Sequence, residues 1–146
     1  MIPYTKDGAF YFPLRVYYED TDAAGVVYHS NYLNFCERAR TEWLRQMGNA
    51  RGALKEQFGV QFAVRRASID YRKPARLDDF LVVETRLQAI GKVRMAMRQT
   101  VTRDGVTLAV AEIELVCISD EFLPTALPAS LLAKLPPVER MEEVKK

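Results

Sequence analysis

A chain of 146 residues, 49% hydrophobic and 27% charged, has the composition of a folded protein. At this length it can bury roughly two thirds of the surface its unfolded form exposes, so no disulfide staple is needed. A net charge of +2 argues against the basic balance on which nucleic-acid and anionic-membrane binding draw, so function must be sought in a site.

The N-terminal MIPYTKDGAF lacks the basic-then-apolar pattern of a secretion signal, and the most apolar run, LAVAEIELVCI, is broken by Glu112 and Glu114. Cys36 and Cys117 lie far apart in apolar segments without CxxC spacing and read as buried free thiols of a reducing compartment. The expected location is cytoplasmic.

Residues 10–19, FYFPLRVYYE, are rich in aromatic and β-branched residues and predict a strand, with Pro13 marking an edge or a beginning. From Asn31 to Met47 the apolar set Tyr32, Phe35, Cys36, Ala39, Trp43, Leu44 and Met47 recurs at three- and four-residue steps, and Gly48 follows. That pattern predicts one long, mostly buried helix, with Arg38 and Glu42 paired four residues apart on its other face. RGALKEQF, residues 51–58, has the composition of a short second helix. The remainder reads as strands over 60–73, about 80–90, 93–103 and 106–119. Ile90-Gly91-Lys92 and Arg103-Asp104-Gly105 divide them, each placing glycine where a tight reversal asks for positive φ. Beyond Pro124 the chain holds at most one short helix, in ASLLAKL, and then a charged tail expected to fray.

Strand, long helix, then four antiparallel strands make an α+β domain of two layers, the helix burying its apolar stripe on one curved sheet. A single domain is expected over residues 1–146, its core spanning about 10–120, with a short helix and tail over 121–146. Strands this long and apolar leave an open edge, which a homo-oligomer would cover.

The stretch YYEDTDAAGVVYHSNYL, residues 17–33, crowds Glu19, Asp20, Asp22 and the single histidine between strand and helix. A solvated acidic loop, with Asp20 or Asp22 capping a turn, is the ordinary interpretation. Against it, AAGVVYH is too apolar for open solvent, so the carboxylates are expected to border a buried cleft. Gly25 can bring backbone close to a ligand, and the helix that follows begins with amides lacking internal partners. A carboxylate beside free amide donors suits attack on a carbonyl. Ser30 and Asn31 have helix capping as their default role, and His29 has no ligand set around it for a metal.

The run RVYYEDTDAAGVVYHSNYLNFCERARTEWLR, residues 15–45, strongly resembles the acyl-CoA thioesterases associated with the Tol-Pal system (the YbgC type), relatives of 4-hydroxybenzoyl-CoA thioesterase. RKPARLDD at 72–79 fits the same family. The resemblance implies the hotdog fold, a long central helix wrapped by a five-stranded antiparallel sheet, assembled as dimers or dimers of dimers with sites at the subunit interface. It places the catalytic aspartate on Asp22 and the amide that polarises the thioester carbonyl on His29. Tyr18 and the His29 ring match further catalytic positions, and Gly25, Val26, Val27, Tyr28 and Asn31 fall around the substrate. Between residues 61 and 105, ten basic residues face five acidic ones, and the resemblance sets Lys92 and Arg94 near the turn that receives the nucleotide phosphates.

The implied substrate is acyl-CoA, with acyl carrier protein as an alternative donor, and no cofactor, metal or nucleic acid. A thioester suits so small a machinery, because its leaving thiol has a pKa of about 8.5 and departs without much help from an acid. Asp22 can serve as nucleophile or as general base. Two other functions fit the residues: a hydroxyacyl-thioester dehydratase or isomerase pairing His29 with Asp22, and a non-catalytic acyl-thioester or envelope-complex binding module.

Overall fold

The structure, a computed structural model, describes residues 2–48 and 51–141, and of Arg51 the backbone alone. The tail from residue 142, expected to fray, lies outside the described residues.

The chain opens with a hairpin that its sequence did not announce: β1 (Tyr4–Lys6) pairs with β2 (Ala9–Arg15). Asp7 and Gly8, at φ 52° and 78°, supply the two left-handed residues that a tight two-residue reversal requires. β1 is three polar-flanked residues, too short to carry a period, and is held partly by stacking of Tyr4 on Tyr11 at 5.0 Å. β2 stops four residues earlier than expected, because the chain turns into a 3-10 coil over Tyr18–Asp20. Pro13 sits where β2 has outrun β1 and is locally an edge, so its missing N–H leaves no gap in a ladder.

The helix α1 runs Asn31–Gln46 and ends at Gly48, whose φ is 76°. α2 (Arg51–Phe58) is closed by Gly59, and β3 (Val60–Tyr71), β4 (Phe80–Ile90), β5 (Arg94–Arg103) and β6 (Val106–Ser119) follow. Asp104 and Gly105 take positive φ as expected, whereas the turn at Gly91 closes without it, through its N–H donated to the Arg94 carbonyl at 2.8 Å. α3 covers only Ala129–Leu132, and a two-residue β7 (Glu139–Arg140) adds in parallel to the end of β4.

Among the described residues the sheet thus has seven strands rather than five, in the order β1-β2-β4-β5-β6-β3 with β7 beside β4, antiparallel throughout except at β7. Its period-two pattern turns Leu81, Val83, Met97, Val101, Ile113 and Leu115, with their same-face neighbours, into the core under α1. α1 answers with Tyr32, Phe35, Cys36, Ala39 and Trp43, while Leu44 and Met47 are only partly buried. This is the long helix on a curved sheet that the resemblance implies.

Two polar features depart from the expected pattern. Arg40 is buried, because Gln99, wholly enclosed on β5, accepts from its guanidinium at 2.9 Å and donates onward to the Cys36 carbonyl and Thr85 hydroxyl. Glu42 pairs with Arg45 at 2.7 Å rather than with Arg38, whose guanidinium lies 5.7 Å from the centre of the Phe35 ring instead. Both cysteines are buried and free, and burial pushes each thiol up to about 11, with Arg40 pulling Cys36 slightly the other way. Among the described residues β3 pairs only with β6, and its residues from Val64 to Ser68 are exposed. Among the described residues no helix is long and apolar enough to cross a membrane.

Candidate active site

The junction between β2 and α1 is built from backbone outward. Val16 is buried and clamped twice, donating to the Asp79 carbonyl at 2.9 Å and accepting from the Asp78 amide at 3.1 Å. The 3-10 coil that follows is closed by Asp20, whose buried carboxylate accepts the Tyr17 amide at 2.9 Å. Of the three acids, Asp20 is therefore a brace.

Asp22 stands at the start of a reverse turn. Its amide donates to the Val26 carbonyl at 2.9 Å, its own carbonyl accepts from Gly25 at 3.0 Å, and Thr21 bridges to Val27. Gly25, at φ 80°, occupies a conformation an L side chain resists. One carboxylate oxygen of Asp22 accepts the Ala24 amide at 2.8 Å; the other makes no hydrogen bond among the described residues. The turn is closed by these backbone hydrogen bonds, and one oxygen of the carboxylate is left uncommitted among the described residues.

A strap formed by residues 72–79 holds this turn in place. Val27 donates to the Ala75 carbonyl at 2.8 Å, Val26 bridges to Arg76, and Leu77 donates to the Gly25 carbonyl at 3.3 Å. The strap is itself locked by Asp79, which accepts the Arg76 amide at 2.8 Å and the Arg103 guanidinium at 2.5 Å. Burial alone would raise the Asp79 carboxyl, but the Arg76 amide and the Arg103 cation outweigh it and hold the group below the usual carboxylate range.

The helix entrance is tied to the same junction. Tyr28 donates its amide to the Asp20 carbonyl at 3.0 Å, and the Asn31 side-chain amide donates to that carbonyl at 2.9 Å. Asn31 is thus spent on joining coil to helix, and neither it nor Ser30 caps the helix through its side chain, contrary to expectation. The Tyr28 carbonyl accepts the Asn31 amide at 2.8 Å, and the His29 carbonyl accepts the Tyr71 hydroxyl at 2.8 Å. The amides of His29 and Ser30 make no hydrogen bond among the described residues. Two adjacent peptide groups therefore have their oxygens fixed and their N–H groups free.

The other expected residues fall variously. Only Val27 of AAGVVYH is buried and Val26 partly so; Asp22, Gly25, Tyr28 and His29 are exposed. The buried cleft expected around the carboxylates is thus an open surface in the single chain, because the turn spends its backbone on the strap and points its side chains outward. Tyr18, 81% exposed, makes no ring contact with His29, whose neighbours are instead Tyr28 at 4.5 Å and Tyr71 at 6.5 Å. Lys92 is exposed, and Arg94 is buried in the sheet beside Glu114 at 3.3 Å. Arg94 lies seven residues along β5 from Val101, whose cross-strand neighbour Ala109 pairs with Tyr71, so about 25 Å of sheet separates the backbone of Arg94 from that of Tyr71 at the helix entrance. One chain does not bring Lys92 and Arg94 to Asp22.

Asp20 does close a turn, as its ordinary interpretation has it, whereas Asp79 and Arg103 as lock and Tyr71 at the helix entrance were not expected. Nor was a groove between α1 and the β3 edge expected, lined by Leu33, Val64 and Ile113 and then by Leu44, Leu54 and Phe62, with Glu37 and Arg40 on the wall of both stretches. Pro74 with Asp78-Asp79 is the turn chemistry that could have marked the strap.

Comparison with known proteins bears on the fold and the family. The family profile described as "Thioesterase superfamily" matches residues 24–110. The "Acyl-CoA thioesterase YbgC" of Haemophilus influenzae is 41% identical over 128 residues, 87% of this chain and 94% of its own length. The "Acyl-CoA thioester hydrolase YbgC" of Escherichia coli O157:H7 is 42% identical over 127 residues, covering 86% and 94%. Among solved structures, a probable thioesterase from Bartonella henselae superposes with a TM-score of 0.78 at 36% identity, over 81% of this chain and 98% of that one. The helix-on-sheet architecture, the profile match and the near-full-length relatives agree: the chain belongs to the thioesterase superfamily.

Proposed function

We propose that the protein hydrolyses the thioester of acyl-CoA to a free acid and CoA. The observation that carries this reading is the 41% identity, over 87% of the chain, to a relative named as an acyl-CoA thioesterase. The junction geometry supports it. Asp22 holds one uncommitted carboxylate oxygen on a fixed turn, and the helix entrance beside that turn presents unpartnered amides.

In this mechanism the substrate carbonyl lies against the His29 amide, with Gly25, Val26, Val27, Tyr28 and Asn31 around it. The Asp22 carboxylate adds to the carbonyl carbon, or takes a proton from the water that adds there. Electrons shift onto the carbonyl oxygen, and the amides stabilise the oxyanion while they stabilise the neutral ester less. Collapse expels the CoA thiolate. On the nucleophilic route, water then cleaves the acyl–Asp22 anhydride and regenerates the carboxylate. The groove along α1 suits the acyl portion, its apolar residues starting at Leu33 in the first turn of the helix and running to Leu54 and Phe62, with Glu37 and Arg40 beside them.

Because Asp22 and His29 are open in one chain and Lys92 and Arg94 lie far from both, the active form is a homo-oligomer, dimer or dimer of dimers. In it, one subunit's Lys92 turn serves the partner's Asp22. Its compartment is the cytoplasm, and acyl carrier protein is an alternative donor. The test is CoA release on a panel from short to long acyl-CoA, with one aryl-CoA and one acyl carrier protein. Turnover of some member with no change at the enoyl absorbance is expected; tight binding without turnover of any would make the protein a binding module.

A further inference from the structure

The catalytic geometry described above leaves unexplained what aims the peptide groups at the helix entrance. The first turn of a helix has no acceptors of its own behind it, so the planes of its leading peptides are set by whatever their carbonyls meet. For the peptide joining Tyr28 to His29, the carbonyl meets the Asn31 amide at 2.8 Å. For the peptide joining His29 to Ser30, the carbonyl meets the hydroxyl of Tyr71, 42 residues away at the end of β3, at 2.8 Å.

We infer that Tyr71 is a positioning residue of the thioesterase site: by donating to the His29 carbonyl it fixes the 29–30 peptide, so that the Ser30 amide joins that of His29 as a second oxyanion donor. This rests on the hydrolysis reading.

Three observations bear on it. Neither amide makes a hydrogen bond among the described residues, so both are available to a ligand. Drawing electron density toward the His29 oxygen makes the N–H of the same peptide a better donor, and chained hydrogen bonds strengthen one another in this way. The Tyr71 ring is seated independently of its hydroxyl, edge-on to Tyr32 at 5.3 Å, and the Tyr32 hydroxyl in turn accepts the Ala75 amide of the strap at 2.9 Å. The strap that holds the Asp22 turn and the ring that holds the Ser30 peptide therefore share Tyr32, which keeps carboxylate and donors in register. Tyr71 is 45% exposed, and the partial desolvation of its hydroxyl, with Tyr32 and Cys36 adding to it, pushes it further above an ordinary value that already keeps a phenol protonated at neutral pH.

The experiment compares wild type, Tyr71→Phe and Tyr71→Leu on the best acyl-CoA substrate. Phe removes only the hydroxyl. Losing one ordinary hydrogen bond's worth of alignment, it should lower kcat about 10-fold while KM moves less than about 2-fold and melting temperature stays near wild type. The Ser30 amide resonance should move upfield in Tyr71→Phe, a signature that loss of packing alone would not give. Leu, which removes the ring as well, should lower melting temperature in addition. Wild-type kcat in Tyr71→Phe, or a loss of activity that merely tracks melting temperature across both variants, would overturn the inference while leaving the hydrolysis reading intact. A wild type that turns over no acyl-CoA would sink that reading first, and the inference with it.

Discussion

Asp20 and Asp22 are the same side chain two residues apart, yet their surroundings give them different work. Asp20 is enclosed and accepts the Tyr17 amide, whereas Asp22 is exposed with one oxygen uncommitted. Replacing Asp22 with Asn keeps the Ala24 contact but abolishes a base or nucleophile, so kcat should fall at least about 100-fold with KM and melting temperature little changed. Replacing Asp20 with Ala should do the reverse, leaving the Tyr17 amide bare at a cost of about 1–2 kcal/mol measurable in urea, with residual kcat per folded molecule. Equal losses of kcat in both variants would refute this division of labour. Composition could not separate the two acids, since each sits beside threonine between strand and helix. What separated them on the sequence was resemblance, and what separates them in the structure is the 3-10 coil, whose Tyr-Tyr-Glu-Asp reads equally well as strand. Tyr71 was illegible for a different reason. Its partner is 42 residues distant, and no local pattern records a contact of that span.

The elements with a long period were the legible ones. α1 and β4, β5 and β6 each bury one face over ten residues or more, and the helical or alternating apolar pattern follows directly from that burial. β1 and β7, three and two residues long, have no period to read and exist because a neighbouring strand offers them a free edge. The strap is an element of another kind, an irregular segment ordered by ion pair and backbone bonds. Its Asp79 carboxyl is held below the usual range, so its contribution to stability is complete above the unfolded value of about 3.9 and is lost as pH falls through the lower folded value. Urea midpoints measured against pH should therefore drop below about pH 4 in wild type and drop less steeply in Asp79→Asn, which starts lower. Parallel curves would show that the lock contributes nothing at equilibrium. Arg103 also reaches the Pro74 carbonyl, at 3.3 Å, so the same cation ties both ends of the strap.

At the scale of the whole molecule, the sheet ends on one side at β3, which has a single neighbour and an exposed outer row. A long unpaired edge is a liability that proteins cover, and the proposed homo-oligomer would cover it. Sedimentation at micromolar concentration should accordingly give two or four times 16.7 kDa, and a fully active species of 16.7 kDa would refute the shared-site arrangement. The interior carries a last consequence. A hydrolase of this kind generates a reactive sulfhydryl at every turnover, and its own two thiols, Cys36 on α1 and Cys117 on β6, are both buried in the core and held in the unreactive protonated state. A chromogenic sulfhydryl reagent added to the reaction will therefore count the released coenzyme without counting the folded enzyme.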